Sequence, residues 1–322
     1  MKKTKLILLL FLFSQTIIAQ QRVWLDADTG NEMDDLYAIA HLVKSDKVKL
    51  IGLSSAHFNN ADLNTFEKWN AYQTETLKPV EESQRLNEEI LNALNRVDIP
   101  HPLGADRQIG RAWGQQEPRD SPAAQAIIAA ARSTAEGEKL DIITLGAMSN
   151  IATALLLAPD ILPKIRLFSL GAWYDPATGA WNKNEFNIRC DLNSFDYLLN
   201  LEGLDFTLMT TTTAFALKFD REETYAALDE SVEIEKILAD RWRTQNPQDE
   251  IRVMWDLALI EAYLYPEWST QATVQTPPEN TPRKIKIYAS IDAEAMKEEF
   301  WRQLKENQSH VSNPQQKHLS KL

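Results

Sequence analysis

The chain has 322 residues, with 34 Lys plus Arg against 46 Asp plus Glu, a formal charge of −12, and a single cysteine. So acidic a composition argues against nucleic-acid or anionic-membrane partners, and the lone thiol of Cys190 excludes an internal disulfide. Without a disulfide the fold must rest on its core, and about 300 residues suffice to build a large one.

Residues 1–19 have the layout of a secretory leader: Lys2, Lys3 and Lys5, an apolar block at 6–13, then a polar step to Ala19. Export is expected to remove them, taking the formal charge from −12 to −15 and leaving no membrane attachment. The apolar block is shorter than the ~20 residues a spanning helix needs, and Ser14, Gln15 and Thr16 interrupt it.

Next, the apolar run Val23-Trp24-Leu25 delivers Asp26 and Asp28 to a turn holding Thr29, Gly30 and Asn31. Asp34 and Asp35 then open an apolar-periodic helix at 36–43. Carboxylates this crowded raise one another's pKa, so the cluster needs a bound cation or backbone N–H donors. Ca²⁺ is the simplest cation, since it accepts about six to eight oxygen ligands. Ordinary helix chemistry also accommodates part of the pattern: Asp34 and Asp35 suit a first turn, and Asp28 suits a turn cap.

Residues 49–54 predict a second strand and 63–77 a helix, separated by the polar loop Ser55-Ala56-His57-Phe58-Asn59-Asn60. A right-handed crossover puts this loop at the same sheet edge as the acids. An exposed helix at 80–97, a short strand at 99–104 and an Arg- and Gly-rich loop at 105–121 carrying Trp113 follow. Then come a buried, alanine-rich helix at 122–131 and a strongly apolar strand at 139–145. Leu145-Gly146-Ala147-Met148-Ser149-Asn150-Ile151-Ala152 breaks that strand and opens a helix running to 160.

A strand at 165–170 leads into a long loop at 171–184, the triplet Glu185-Phe186-Asn187, and a helix beginning at Asp191. Residues 206–209 predict a strand followed by four threonines, and 221–245 predict helices. Trp255 and Asp256 open a helix reaching 263, and a strand at 284–289 and an amphipathic helix at 293–304 complete the pattern. The tail at 305–322 is polar and expected to be disordered. The alternation predicts one α/β domain over 20–304, a mostly parallel central sheet flanked by helices.

Four of these segments resemble the inosine-uridine nucleoside hydrolase family. Asp26-Ala27-Asp28-Thr29-Gly30 with Asp34-Asp35 is similar to the family's Asp-x-Asp-Pro-Gly turn and Asp-Asp pair. Thr29 replaces the proline, and Asn31-Glu32-Met33 lengthens the turn. The Leu145 to Ala152 run, the Glu185-Phe186-Asn187 triplet and Trp255-Asp256 match the family's later motifs. Nearly the whole chain between 22 and 304 is covered.

The resemblance implies hydrolysis of the N-glycosidic bond of ribonucleosides, small molecules, with Ca²⁺ as cofactor. By carry-over the ion is held by Asp28, Asp35, the Leu145 carbonyl and Asp256, with Asp28 also the general base. Asp34 and Asn187 bind the ribose diol and Glu185 the outer hydroxyls. Asn59 or Asn60 contributes to the ribose pocket, and Asn182 and Asn184 are candidates for its 5′ side. Trp255 stands where many members carry a histidine acid, and none of the five histidines takes its place in sequence. It resembles the purine-preferring branch, in which indole rings sandwich the base, and Trp113 is the second candidate face. A homo-oligomer is left open.

Three other readings compete. A haloacid dehalogenase-type phosphatase also starts with Asp-x-Asp after a strand, but needs Thr or Val where this chain has Gly30. The longer acid turn also suits a secreted carbohydrate-active hydrolase on the same fold. A non-catalytic, calcium-dependent sugar binder would be marked by loss of Asp28, which is present.

Overall fold

A computed structural model describes residues 20–59, 78–111 and 114–306. Strand β1 (Gln21–Ala27) is buried on both faces from Val23 onward, as a near-continuous apolar run in a central parallel strand requires. It pairs in parallel with β2 (Val48–Ser55) on one side and β3 (Leu140–Thr144) on the other. Beyond β3 lie β4 (Ile165–Leu170), then β7 (Phe206–Met209) and β11 (Lys284–Ile291), all parallel. The edge strand β10 (Ser269–Gln275) runs antiparallel on β11, giving seven strands in the order β10-β11-β7-β4-β3-β1-β2.

Helices cover both faces. On one, α1 (Asp34–Lys44), α9 (Glu233–Gln245), α10 (Trp255–Leu264) and α11 (Ala293–Glu306) share one core with Val23 and Leu25, to which they contribute Ile39, Leu238, Leu257 and Phe300, α9 and α11 packing against α1. On the other, α3 (Pro122–Arg132), α4 (Ser149–Leu157) and α6 (Leu192–Asn200) pack on Trp24 and Ile142 through Ile127, Ile151 and Phe195. Deleting one of these side chains, as in Leu257→Ala, belongs to the class of change that costs about 2–5 kcal/mol. Among the described residues no helix is long and apolar enough to cross a membrane.

From β1 the chain moves one way to β2 and later the other way to β3 and β4, so the strand order reverses between β1 and β3. Open α/β sheets bind ligands outside the carboxyl ends of their strands at such a point. Asp28 follows β1 and Leu145 follows β3, so the topology alone puts them on either side of it.

Several expectations need correction. No strand forms at 99–104; Pro100 and Pro102 lack the N–H groups a ladder needs, and the Pro100 carbonyl instead accepts from the Leu53 N–H at 2.9 Å. Helix α2 (Pro79–Ala93) ends earlier than expected and is not simply exposed, since Val80, Leu86, Ile90 and Leu91 are buried. The loop at 171–184 contains a hairpin of β5 (Trp173–Asp175) and β6 (Ala180–Asn182). A second two-stranded antiparallel pair joins β8 (Lys218–Asp220) to β9 (Ile251–Val253), with α8 (Arg221–Ala227) and α9 between them in the chain. The four threonines contribute to the short helix α7 (Thr211–Ala214), and Phe186 to Cys190 form α5 (Phe186–Cys190). The helix expected at 63–77 lies outside the described residues, as do Asn60, Trp113, the leader and the tail beyond 306.

Candidate active site

Helices α1 and α10 build the centre. In α1 every residue from Asp34 to Val43 is buried, and in α10 every residue from Asp256 to Ala262. Each helix therefore carries its acids inside the protein at its amino-terminal turn, where solvent cannot stabilise them and the helix dipole does so only partly. The two starts meet: the Asp256 backbone N–H donates to Asp34 Oδ2 at 3.1 Å. Ligand oxygens of Asp34, Asp35 and Asp256 lie within 4.8 Å of one another.

A cavity of about 270 Å³ opens over this trio. Its lining includes Asp28, Asn31, Glu32, Leu145, Glu185 and Asn187, besides the three aspartates. Asp28 stands outside the trio but faces the same space, and its charge bears on Asp256 and is in turn affected by Asp35. Gly146 makes room for it, since a Cβ there would lie 2.4 Å from Asp28 Cγ. Asn187 Nδ2 donates to the Leu145 carbonyl at 2.5 Å, fixing that oxygen at the cavity wall. Glu185 caps α5 by accepting from the Ile188 N–H at 3.1 Å.

Burial raises the pKa of Asp28, Asp34, Asp35, Glu185 and Asp256. Asp34 is pushed up to about 7, chiefly by desolvation and then by Glu32, with Arg252 opposing. Glu185 also rises to about 7 through burial. Asp28, Asp35 and Asp256 are raised well above the carboxylate range, first by burial and then by neighbouring carboxylates, Asp35 and Asp34 acting on Asp28 and Asp256, and Asp34 and Glu32 acting on Asp35. Asp28 Oδ2, Asp35 Oδ1 and Asp256 Oδ1 are buried with no hydrogen-bond partner among the described residues. Hard oxygen donors left in this state fit a divalent cation. The Leu145 carbonyl fits as well, because Asn187 engages only one of its two lone pairs.

The turn between β1 and α1 is held from outside. Arg241 donates to the carbonyls of Gly30 at 2.8 Å, Glu32 at 3.2 Å and Thr29 at 3.3 Å. Arg252 pairs with Glu32 and, at 2.8 Å, with Asp249. Asp26, counted by sequence with the acid cluster, does not line the cavity. Its Oδ1 accepts from Ser54 and from Asn150 Nδ2 at 2.9 Å, so it ties β1 to β2 and α4.

Asn59 does not join the cavity either. Its amide donates to the Asp106 carbonyl at 2.5 Å, and its N–H faces His57 Nδ1 at 3.3 Å. His57 lies 2.8 Å from Ser149 Oγ, which donates to Asp191 at 2.5 Å. Burial pushes this histidine down to about 4. Of the 5′-side candidates Asn184 lines the cavity, while Asn182 accepts from the Asn184 N–H at 2.8 Å and does not.

Trp255 lines the cavity as expected, and its second aromatic neighbour is one the sequence did not single out. Trp173, on β5, also lines the cavity, its ring 6.3 Å from Trp255 at 81°. Phe215 lies 5.8 Å from Trp255 at 43°. The hairpin bearing Trp173 is pinned: Trp181 Nε1 donates to the Gln275 carbonyl at 2.9 Å, and just beyond β6 Lys183 pairs with Asp196 at 2.6 Å. The available signal was the Trp-Tyr-Asp…Ala-Trp-Asn pattern around Thr178-Gly179, two short strands about a turn. Glu32 and Asn31 were treated only as turn length, yet they too line the cavity.

A family model described as inosine-uridine preferring nucleoside hydrolase matches residues 23–298. No curated protein matches the chain in a sequence search. Among solved structures, a purine-preferring ribonucleoside hydrolase from Gardnerella vaginalis is similar at 19% identity and TM-score 0.66, covering 88% of this chain and 98% of that one. A plant nucleoside hydrolase is similar at 16% identity and TM-score 0.66, with the same coverage. An inosine-uridine preferring nucleoside hydrolase from Bacillus anthracis follows at 15% identity and TM-score 0.64, covering 89% and 99%. At these identities the structural likeness establishes the fold.

Proposed function

The chain belongs to the inosine-uridine preferring nucleoside hydrolase family and is a hydrolase acting on N-glycosyl compounds, and from that premise we propose that it is a calcium-dependent ribonucleoside hydrolase with a preference for purines. The observation that carries this reading is the set of buried, unpartnered oxygens on Asp28, Asp35 and Asp256 under an indole-walled cavity. Asp28, Asp35, Asp256 and the Leu145 carbonyl would hold the ion. When bound, Ca²⁺ supplies positive charge that keeps the carboxylates ionised and orients water and the sugar diol.

The side chains divide the remaining work. Asp28 accepts the proton of the attacking water, a contribution of roughly 10²- to 10⁴-fold. Asp34 and Asn187 bind the ribose diol, and Glu185 binds the outer hydroxyls from a position set by the start of α5. Contacts remote from the breaking bond raise the rate when they tighten as the sugar flattens. Trp255 offers a face for the base, and such stacking is worth roughly 0.5–1.5 kcal/mol beyond area burial. The leader pattern at 1–19 supports a site of action outside the cytoplasm.

The test is a nucleoside panel. Inosine, guanosine and adenosine should be cleaved faster than uridine and cytidine, and Trp255→Ala should depress purine turnover more than cleavage of a nitrophenyl riboside. A preference for pyrimidines, or equal losses on both substrates, would contradict the stacking assignment.

A further inference from the structure

The charge of the cavity wall is one-sided. Asp28, Glu32, Asp34, Asp35, Glu185 and Asp256 all line it, and among the described lining residues there is no Lys, Arg or His. Neighbouring cations are committed to partners around the wall, Arg241 to the backbone carbonyls of the acid turn, Arg252 to Glu32 and Asp249, and Arg189 to the Asn184 side-chain oxygen at 3.0 Å. One divalent ion offsets only part of this negative charge. On the same cavity lie the indoles of Trp173, 36% exposed, and Trp255, edge to face with each other. Indole is the strongest of the aromatic side chains at attracting a cation over its face.

A negative wall with indole rings beside it favours a flat, positively charged ring over a neutral or anionic one. Such a ring also removes the demand for a leaving-group acid, and Trp255 at the start of α10 supplies none. We propose that the preferred substrates are N-ribosides whose base is cationic, with a pyridinium or an N7-alkylated purinium ring. The inference rests on the ribonucleoside hydrolase reading and narrows it. In the step, the bond from C1′ to the base nitrogen breaks and its electron pair stays on the nitrogen, cancelling the ring's positive charge. The water oxygen bonds to C1′ and gives a proton to Asp28, which passes it to solvent. The products are ribose, a neutral base and one released proton.

Two pyridinium ribosides vary the net charge of the base, because nicotinamide riboside carries a cationic base whereas the added carboxylate makes that of nicotinate riboside a zwitterion, and the change of their rate ratio on altering a wall charge cancels their intrinsic difference in leaving ability. With calcium-loaded protein, kcat/KM for nicotinamide riboside should exceed that for nicotinate riboside by tenfold or more, and 7-methylguanosine should surpass guanosine. Glu32→Gln removes one wall charge and leaves Arg252 without its Glu32 partner, so it should lower the nicotinamide-to-nicotinate ratio at least threefold. Trp173→Leu, on the pinned hairpin, should raise KM for nicotinamide riboside fivefold or more. Circular dichroism identical to that of the unaltered protein accompanies each result. Inosine cleavage with equal or reversed pyridinium rates, or a ratio insensitive to Glu32→Gln, overturns the cationic preference and leaves ribonucleoside hydrolysis standing. Absence of base release from every riboside, inosine included, overturns both.

Discussion

Replacing Gly146 by alanine should disable the site through a single methyl group. The added Cβ would stand 2.4 Å from both Cγ and Oδ1 of Asp28, and 2.7 Å from its Cβ. Non-bonded carbon atoms settle at about 3.5–4.0 Å, so the Asp28 carboxylate must retreat by about 1 Å or more. The φ of Gly146 lies outside the left-handed region, so alanine adds no backbone strain there and the effect is steric. Overpacking of this kind costs about 1–3 kcal/mol of stability, whereas displacing a reacting group by about 1 Å costs on the order of 10²-fold in rate. Base release from inosine, measured beside denaturant unfolding in the presence of Ca²⁺, should show a hundredfold loss of kcat/KM in a protein that still unfolds cooperatively. A variant within twofold of the original activity would refute the reasoning that Asp28 acts from its present position.

Asp28→Asn should keep the fold and lower kcat by at least roughly a hundredfold, the lower end of general-base effects; stopped assays with purified variant protein check this. Arg241→Ala leaves the carbonyls of Thr29, Gly30 and Glu32 without their charged donor, and denaturant titration should show a loss of about 3–5 kcal/mol, much of it recovered by saturating Ca²⁺. In metal-free protein Asp34 has its folded pKa raised from 3.8 to about 7, so the folded state holds the proton more tightly than the unfolded chain. Its contribution is full below about pH 4 and disappears as pH rises through about 7. Added Ca²⁺ should therefore raise the melting temperature more at pH 8 than at pH 5, read by thermal unfolding at both values.

Much of the fold was legible because the strands of a parallel sheet buried on both faces are apolar throughout, as in Val23-Trp24-Leu25 and the run ending at Leu145. The acids at the start of α1 were legible from the crowding of carboxylates at one strand-to-helix turn, and Asp256 at the start of α10 from the family resemblance. The short strand pairs were not, since three-residue strands such as β5 and β8 show too few alternations to define a period. Trp173 was missed with its hairpin. Asn59 illustrates a different limit. An Asn pair in a loop fits a pocket or a turn equally well, and only the Asp106 carbonyl beside its amide decides where the side chain goes. Asp26 and Asp28, two residues apart, differ in the same way: Ser54 and Asn150 claim the first, and open space claims the second.

The central claim is metal-dependent cleavage of a riboside at the cavity over Asp34, Asp35 and Asp256, and one measurement tests it most directly. Inosine is incubated with protein stripped of divalent metal by chelation, then with the same protein after Ca²⁺ is restored, and free hypoxanthine and ribose are quantified. The predicted result is no turnover in the stripped protein and equimolar base and ribose after calcium is returned. Full activity in rigorously metal-free protein would contradict it.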